Sequence, residues 1–186
     1  MYCVRKGESV LEVIVYGSAY GSTRRYAQEL SARTGIPAAG YEEVKSLGEY
    51  QTILYIGALY AGSVLGMKKT LSSLGDLSGK KLLIVTCGVS DPKDAAYMDT
   101  VKAGIRKELG EEMYNHAAIF HLRGAIDYSR LSLKHRALMA LLYRQALKMP
   151  EEKRTADIRA VIETYGKSSD FVDFDSLDPV IRELRQ

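Results

Sequence analysis

The sequence contains no tryptophan, two cysteines and three histidines, and each scarcity removes a class of chemistry. Cys3 and Cys87 make no pattern of disulfide or metal-ligand spacings, so the pair is most simply read as two reduced thiols. His116, His121 and His135 stand at no ligand-like spacing, which leaves metal catalysis unsupported. Apolar runs fall far short of a bilayer span, and the opening MYCVRKGESV lacks the hydrophobic core of a signal peptide. A cytoplasmic protein is expected. Internal repeats and low-complexity tracts are also missing, which excludes solenoids and disordered linkers.

What is present reads as one domain over 1–186: 46% hydrophobic residues in 186 positions are enough for a three-layer core. The most informative stretch is Val10–Ala27, VLEVIVYGSAYGSTRRYA. Val10, Val13, Ile14 and Val15 form the β-branched run of a strand covered on both faces. Ser22 or Thr23 is expected to cap a helix that turns Tyr26, Ala27 and Leu30 to one side. A loop from Ser18 to Thr23 at such a junction gathers free backbone N–H groups, hydroxyls and the positive end of a helix dipole at one point, where an anion is stabilised. Hydrogen bonds to a charged acceptor contribute about 1.5–3 kcal/mol each, so four or five can hold a phosphate without lysine or metal. An ordinary capped strand-to-helix turn is the reading the loop alone leaves open.

Strand and helix patterns then alternate. Ile36–Tyr41 is a weak strand candidate; Gln51–Ile56, Lys81–Thr86 and His116–Leu122 are stronger ones. A helix from about Asp94 to Leu109 carries Met98, Val101, Ile105 and Leu109 as an apolar stripe and is closed by Gly110. Leu177, Val180, Ile181 and Leu184 form another stripe, started by Asp175 or Ser176. Five strands alternating with helices specify an α/β fold, a doubly wound five-stranded parallel sheet for which the order 2-1-3-4-5 is expected. In such a sheet ligands sit beyond the carboxyl ends of the strands where the order reverses. The loops Gly57–Ser63 and Gly88–Pro92 therefore join Ser18–Thr23 at one site; their small residues admit a planar ligand, and Tyr60 offers a ring to stack on it or to pack on the rim.

Several nucleotide and hydrolytic chemistries fail on spacing. Counted from Gly17, Ser22 and Thr23 replace the Gly-Lys of a P-loop, and Ala19 replaces the second glycine of the dinucleotide fingerprint. Around Ser90 a nucleophile elbow needs glycine where Pro92 stands, and a Cys87 phosphatase needs arginine where Lys93 stands. No nucleic-acid motif is present and the charge is modest, so nucleic acid is not an expected partner.

Tyr20-Gly21-Ser22-Thr23 with Tyr26-Ala27, Tyr50–Gly62, Gly88–Pro92, His121–Tyr128, and Glu163–Gly166 with Asp173-Phe174 together resemble the flavodoxin-domain family related to menaquinone-dependent protoporphyrinogen oxidase. The resemblance runs nearly end to end and implies a flavodoxin-like fold with FMN as cofactor. It places the phosphate on Ser18, Tyr20, Gly21, Ser22 and Thr23, Tyr20 through its backbone N–H alone. It places the ring between Ala58, Leu59, Tyr60, Ala61 and Gly62 on one side and Gly88, Val89, Ser90 and Asp91 on the other. With no tryptophan, the Trp–Tyr sandwich of many flavodoxins is incomplete. The function implied is an oxidoreductase passing electrons between a reduced substrate, such as a porphyrinogen, and a quinone or other acceptor. A non-enzymatic FMN carrier and an interaction module without FMN are the alternatives, and no side chain stands out as an acid or base.

The chain departs from a plain flavodoxin over about 124–175, a helical insertion after the fifth strand. Tyr128–Met149 holds Arg130, Lys134, Arg136, Arg144 and Lys148, no acidic residue, and leucines at 131, 138, 141 and 142. Such a helix suits a peripheral membrane contact, a redox partner or a homodimer, or covers one edge of the sheet with its basic residues solvated. Ala156–Tyr165 is expected to dock through Ile158, Val161, Ile162 and Tyr165. A net charge of +3 disfavours the acidic electron shuttle and suits an acidic substrate, which Arg123, Arg130 or Lys134 can pair with, or an anionic surface.

Overall fold

The computed structural model describes residues 11–60 and 62–186; Cys3, Val10 and Ala61, which figure in the reading above, lie outside them. The chain runs β1 (Glu12–Gly17), α1 (Ser22–Thr34), β2 (Ala38–Gly40), β3 (Thr52–Tyr60), β4 (Ser63–Val64), α2 (Met67–Leu71), β5 (Lys81–Gly88), α3 (Ala95–Leu109), α4 (Glu111–His116) and β6 (Ala118–Arg123). It continues through β7 (Ala125–Asp127), α5 (Leu133–Lys148), α6 (Ala156–Thr164), β8 (Ser168–Asp170) and α7 (Asp178–Leu184). Five parallel strands form the sheet in the order β2-β1-β3-β5-β6, the 2-1-3-4-5 order expected once the short β4 is set aside. β4 turns back antiparallel on the end of β3, and β7 pairs with β8 in a separate small ribbon.

Strand alternation sends side chains to two cores. On one face Val13, Val15, Ile53, Tyr55 and Ile84 pack with Met67 and Leu71 of α2 and Val101 and Ile105 of α3. On the other, Ile14, Leu54, Ile56, Leu83 and Val85 meet Tyr26, Ala27 and Leu30 of α1 and Leu177, Val180 and Ile181 around α7. Each such aliphatic side chain withdrawn from water contributes about 1.5–3 kcal/mol, so the central strands are the most firmly held part of the chain. Buried Tyr26 donates its hydroxyl to the Arg123 carbonyl at 2.7 Å and accepts from the Asp173 N–H at 3.0 Å, tying α1 to β6 and to the C-terminal segment.

Several boundaries depart from the sequence reading. The Ile36–Tyr41 candidate shrinks to Ala38–Gly40, an edge strand following Pro37. His116 ends α4, a helix the pattern did not reveal, so the fifth parallel strand begins at Ala118. β3 and β5 run on past Ile56 and Thr86 because Gly57 and Ala58 continue the ladder opposite Thr86 and Cys87. Gly57 is obligatory there: a Cβ would stand 2.2 Å from Val64 Cγ1 on β4. At the other end of the chain, Asp173 rather than Asp175 or Ser176 caps the turn into α7, accepting from the Asp175 N–H at 3.0 Å.

The insertion holds the largest corrections. Tyr128–Met149 divides into a single turn at Tyr128–Arg130 and α5, whose N-cap Ser132 accepts from the His135 N–H at 3.3 Å. α5 packs on α6 and roofs the carboxyl ends of the strands rather than covering a sheet edge, and Ala146 is its one buried side chain. In α6 the buried row is Ala156, Ala160 and Thr164, with Ile158, Val161, Ile162 and Tyr165 half-buried. Small residues at helical spacing allow close approach of α5, and the rings of Tyr143 and Tyr165 stack across it at 4.0 Å and 3°. No helix among the described residues is long and apolar enough to cross a membrane.

Candidate functional site

The reversal of strand order between β1 and β3 opens a crevice at their carboxyl ends, where a doubly wound sheet binds its ligands. A cavity of about 390 Å³ occupies it. Ala19, Tyr20, Ser22 and Thr23 form one end; Ala58, Leu59 and Tyr60 from β3 and Cys87 and Gly88 from β5, with Val89 just after it, form the flanks. Gly124, Ala125 and Ile126 close the base, and Leu131, His135, Leu138, Met139 and Leu142 make the roof.

The loop between β1 and α1 has the backbone expected of an anion site but distributes its hydroxyls differently. Neither Ser22 nor Thr23 caps α1; Gly21 does, at φ 104°, and no side chain bonds to the first turn. That left-handed turn, open to glycine, exposes the helix's first N–H groups and leaves them to a ligand. Buried Thr23 donates to the Gly17 carbonyl at 3.0 Å and holds the loop's shape. Ser18 Oγ accepts from the Gly21 N–H at 3.1 Å and Ser22 Oγ accepts from the Ala125 N–H at 2.8 Å, so Ser22 keeps its own proton to give. The last contact, with the Gly124 N–H to Gly88 carbonyl bond of 2.7 Å, seats the strand β6–β7 connection against the start of α1. A Cβ on Gly124 would come within 2.8 Å of Cys87 Sγ.

Buried groups beneath the flanks are neutral. Burial pushes the Cys87 thiol up to about 12, which makes it a small apolar wall rather than a nucleophile. His121, within β6, shares a 2.8 Å hydrogen bond between Nδ1 and Thr86 Oγ1 and lies edge-on to Tyr97. Burial pushes its pKa down to about 4, the Ser90 backbone offsetting part of that. Arg123 is turned inward: its guanidinium donates to the Val89 carbonyl at 2.9 and 3.1 Å and lies 3.8 Å over the Phe171 ring. It fixes the Val89 loop.

Of the residues singled out in the sequence, Tyr20, Ser22, Thr23, Ala58, Leu59, Tyr60, Gly88 and Val89 meet at this cavity. Ser18 and Gly21 shape the loop, and Gly21 borders an adjoining pocket of about 340 Å³ with Arg24, Arg25 and Arg130. Gly62 borders a third of about 420 Å³ beyond Leu59. Ser90 is buried beneath its loop, and exposed Asp91 accepts from the Lys93 N–H at 2.9 Å. The residues missed are Ala19, Cys87, Gly124, Ala125 and Ile126 and those of the roof. The roof's signal was the surplus of leucine in Tyr128–Met149; nothing in its spacing tells which way the helix faces. His135 in that roof hydrogen-bonds the Tyr20 hydroxyl and sets its ring 4.9 Å from Tyr60. Among the described residues no group of His, Cys, Asp and Glu is arranged to hold a metal ion.

A doubly wound 2-1-3-4-5 sheet with a helix start free of side-chain caps and an apolar slot at its switch point defines a flavodoxin-like α/β protein. The chain belongs to the Flavodoxin domain family, whose model matches residues 13–153. Two solved structures are similar, both candidate flavoproteins. One, from Bacteroides uniformis, is 14% identical with a TM-score of 0.44, covering 61% of this chain and 90% of its own. The other, from Bacteroides eggerthii, is 13% identical with a TM-score of 0.43, covering 69% of this chain and 95% of its own. No curated protein matches this chain.

Proposed function

We propose that the cavity binds FMN and that the protein is a flavin-dependent oxidoreductase passing electrons between a reduced substrate and a quinone or other acceptor. One observation carries this reading: a single cavity of about 390 Å³ joins the start of α1, free of side-chain caps, to an apolar slot between Tyr60 and Val89. That is the shape of a ligand with an anion at one end and a flat aromatic body at the other, and the volume lies in the range of cofactor pockets. The loop Tyr20–Thr23 would hold the phosphate through backbone N–H groups and the Ser22 hydroxyl. Ala58, Leu59, Gly88 and Val89 admit the ring, and Tyr60 offers it a face. When bound, the flavin supplies the redox chemistry, taking up and giving off electrons singly or in pairs.

The chain's own residues then exclude water and set polarity. The roof leucines and Met139 lower the dielectric over the slot, while N–H groups of the Gly88–Asp91 loop would oppose it by favouring negative charge at the ring's edge. Within flavodoxin-like proteins, the motifs around His121–Tyr128 and Glu163–Gly166 support a place beside menaquinone-dependent protoporphyrinogen oxidase, with 124–175 an insertion in one domain over 1–186. A net charge of +3 supports an enzyme over an acidic shuttle.

The test is transfer. FMN-loaded protein is reduced anaerobically, freed of reductant and mixed with menadione, which takes two electrons and two protons to its hydroquinone. Reoxidation is expected at a rate that saturates in menadione and falls in Leu138→Trp, which crowds the mouth. A rate no different from that of free reduced FMN, unaffected by the substitution, overturns the enzymatic reading.

A further inference from the structure

α5 has an outward face that folding leaves uncovered. Leu133, Leu141 and Leu147 are 83, 54 and 50% exposed, on a helix whose sole buried side chain is Ala146. Positions 133, 137, 141, 144 and 148 fall on one stripe, with Leu133 and Leu141 toward its start, Arg144 and Lys148 toward its end and Lys134 beside it. None of these three cations makes an ion pair among the described residues, and no acidic residue occurs between 128 and 149. The stripe is continuous with the cavity, because Leu138 and Leu142, 41 and 38% exposed, line both its rim and the helix's outer flank.

We propose that this face of α5 docks on an anionic lipid bilayer. A bilayer of that charge satisfies both halves of the pattern at once: leucines enter the acyl boundary while Lys and Arg stems reach back to lipid phosphates. A second copy of the chain is the poorer occupant. A two-fold interface sets a surface against itself, bringing Lys134, Arg144 and Lys148 against the same cations with no carboxylate between. The docking itself rests on α5 alone and holds whatever the cavity binds.

The full chain is sedimented with phosphatidylcholine vesicles, with and without phosphatidylglycerol, at low and high salt. Binding is expected to the anionic vesicles only and to weaken with salt. Lys134→Gln, Arg144→Gln and Lys148→Gln are each expected to weaken it by about fivefold, and the double variant Leu133→Gln/Leu141→Gln by at least about tenfold. Both leucines stand in solvent away from the cavity, so those variants fold, and flavin absorbance of the same samples reads the cofactor site separately. Absence of wild-type binding to the anionic vesicles with flavin retained overturns the docking alone. Equal binding by the variants, or a dimer that Leu133→Gln/Leu141→Gln dissociates, overturns it as well.

Discussion

The cavity has two walls built by opposite means. The strand-end wall belongs to β1, β3 and β5, whose side chains are buried in both cores and whose backbones are paired on either side. The α5 wall is held by one buried alanine, its packing on α6 and the contacts of His135 with Tyr20 and Tyr60. One wall owes its shape to hydrophobic burial and the other to a few local contacts, so binding geometry belongs to the first and access to the second. Regions of few buried apolar contacts open most readily, which marks α5 as the part of the site that moves.

Stability measurements are the strongest way to break that contrast. Leu54→Ala, in the middle of β3, should cost about 2–5 kcal/mol in urea unfolding, whereas Leu141→Ala on α5 should stay within about 0.5 kcal/mol of wild type. Comparable losses from both would refute the division.

Acid sharpens it next. An unfolded histidine titrates near 6.5 and folded His121 near 4, so between those values the unfolded chain binds the extra proton. Stability should fall as pH drops through that window, by up to about 3 kcal/mol, with no contribution from this group above it. His121→Asn should flatten the slope measured by denaturant unfolding at a series of pH values; an unchanged slope would show that His121 is not the group responsible.

Smaller effects belong to the roof. Removing the α5 cap with Ser132→Ala should loosen that helix by about 1 kcal/mol, seen as faster amide exchange across 133–148 with the β3 amides unchanged. His135→Ala, which releases the contact with Tyr20, should speed flavin release in stopped-flow fluorescence while leaving the melting temperature nearly unchanged. A large drop in that temperature would show α5 to be part of the core.

The same division governs what the sequence made legible. Sheet order, both faces of β3 and the position of the β1–α1 loop follow from β-branched runs and from helices whose stripes, such as Tyr26, Ala27 and Leu30, have one place to go. Inside the loop the hydroxyls were misread. Thr23 and Ser22 look like caps by type, but Gly21 adopts the left-handed turn and the two hydroxyls serve Gly17 and Ala125. Local sequence holds no trace of those partners, which lie in other elements. Arg123 likewise reads as a free cation until its contacts with Val89 and Phe171 are seen. The roof was hidden for a different reason: α5 is apolar on nearly every side, so its pattern names no buried face and only tertiary packing decides it.

The most direct test of the central claim is the visible spectrum of the purified protein after incubation with FMN and removal of free flavin, beside Tyr60→Ala and Val89→Trp. The account expects wild type to keep the flavin bands, Tyr60→Ala to keep them weakly and Val89→Trp, which fills the slot, to lose them. Wild-type protein that leaves the column colourless at micromolar concentration would contradict it.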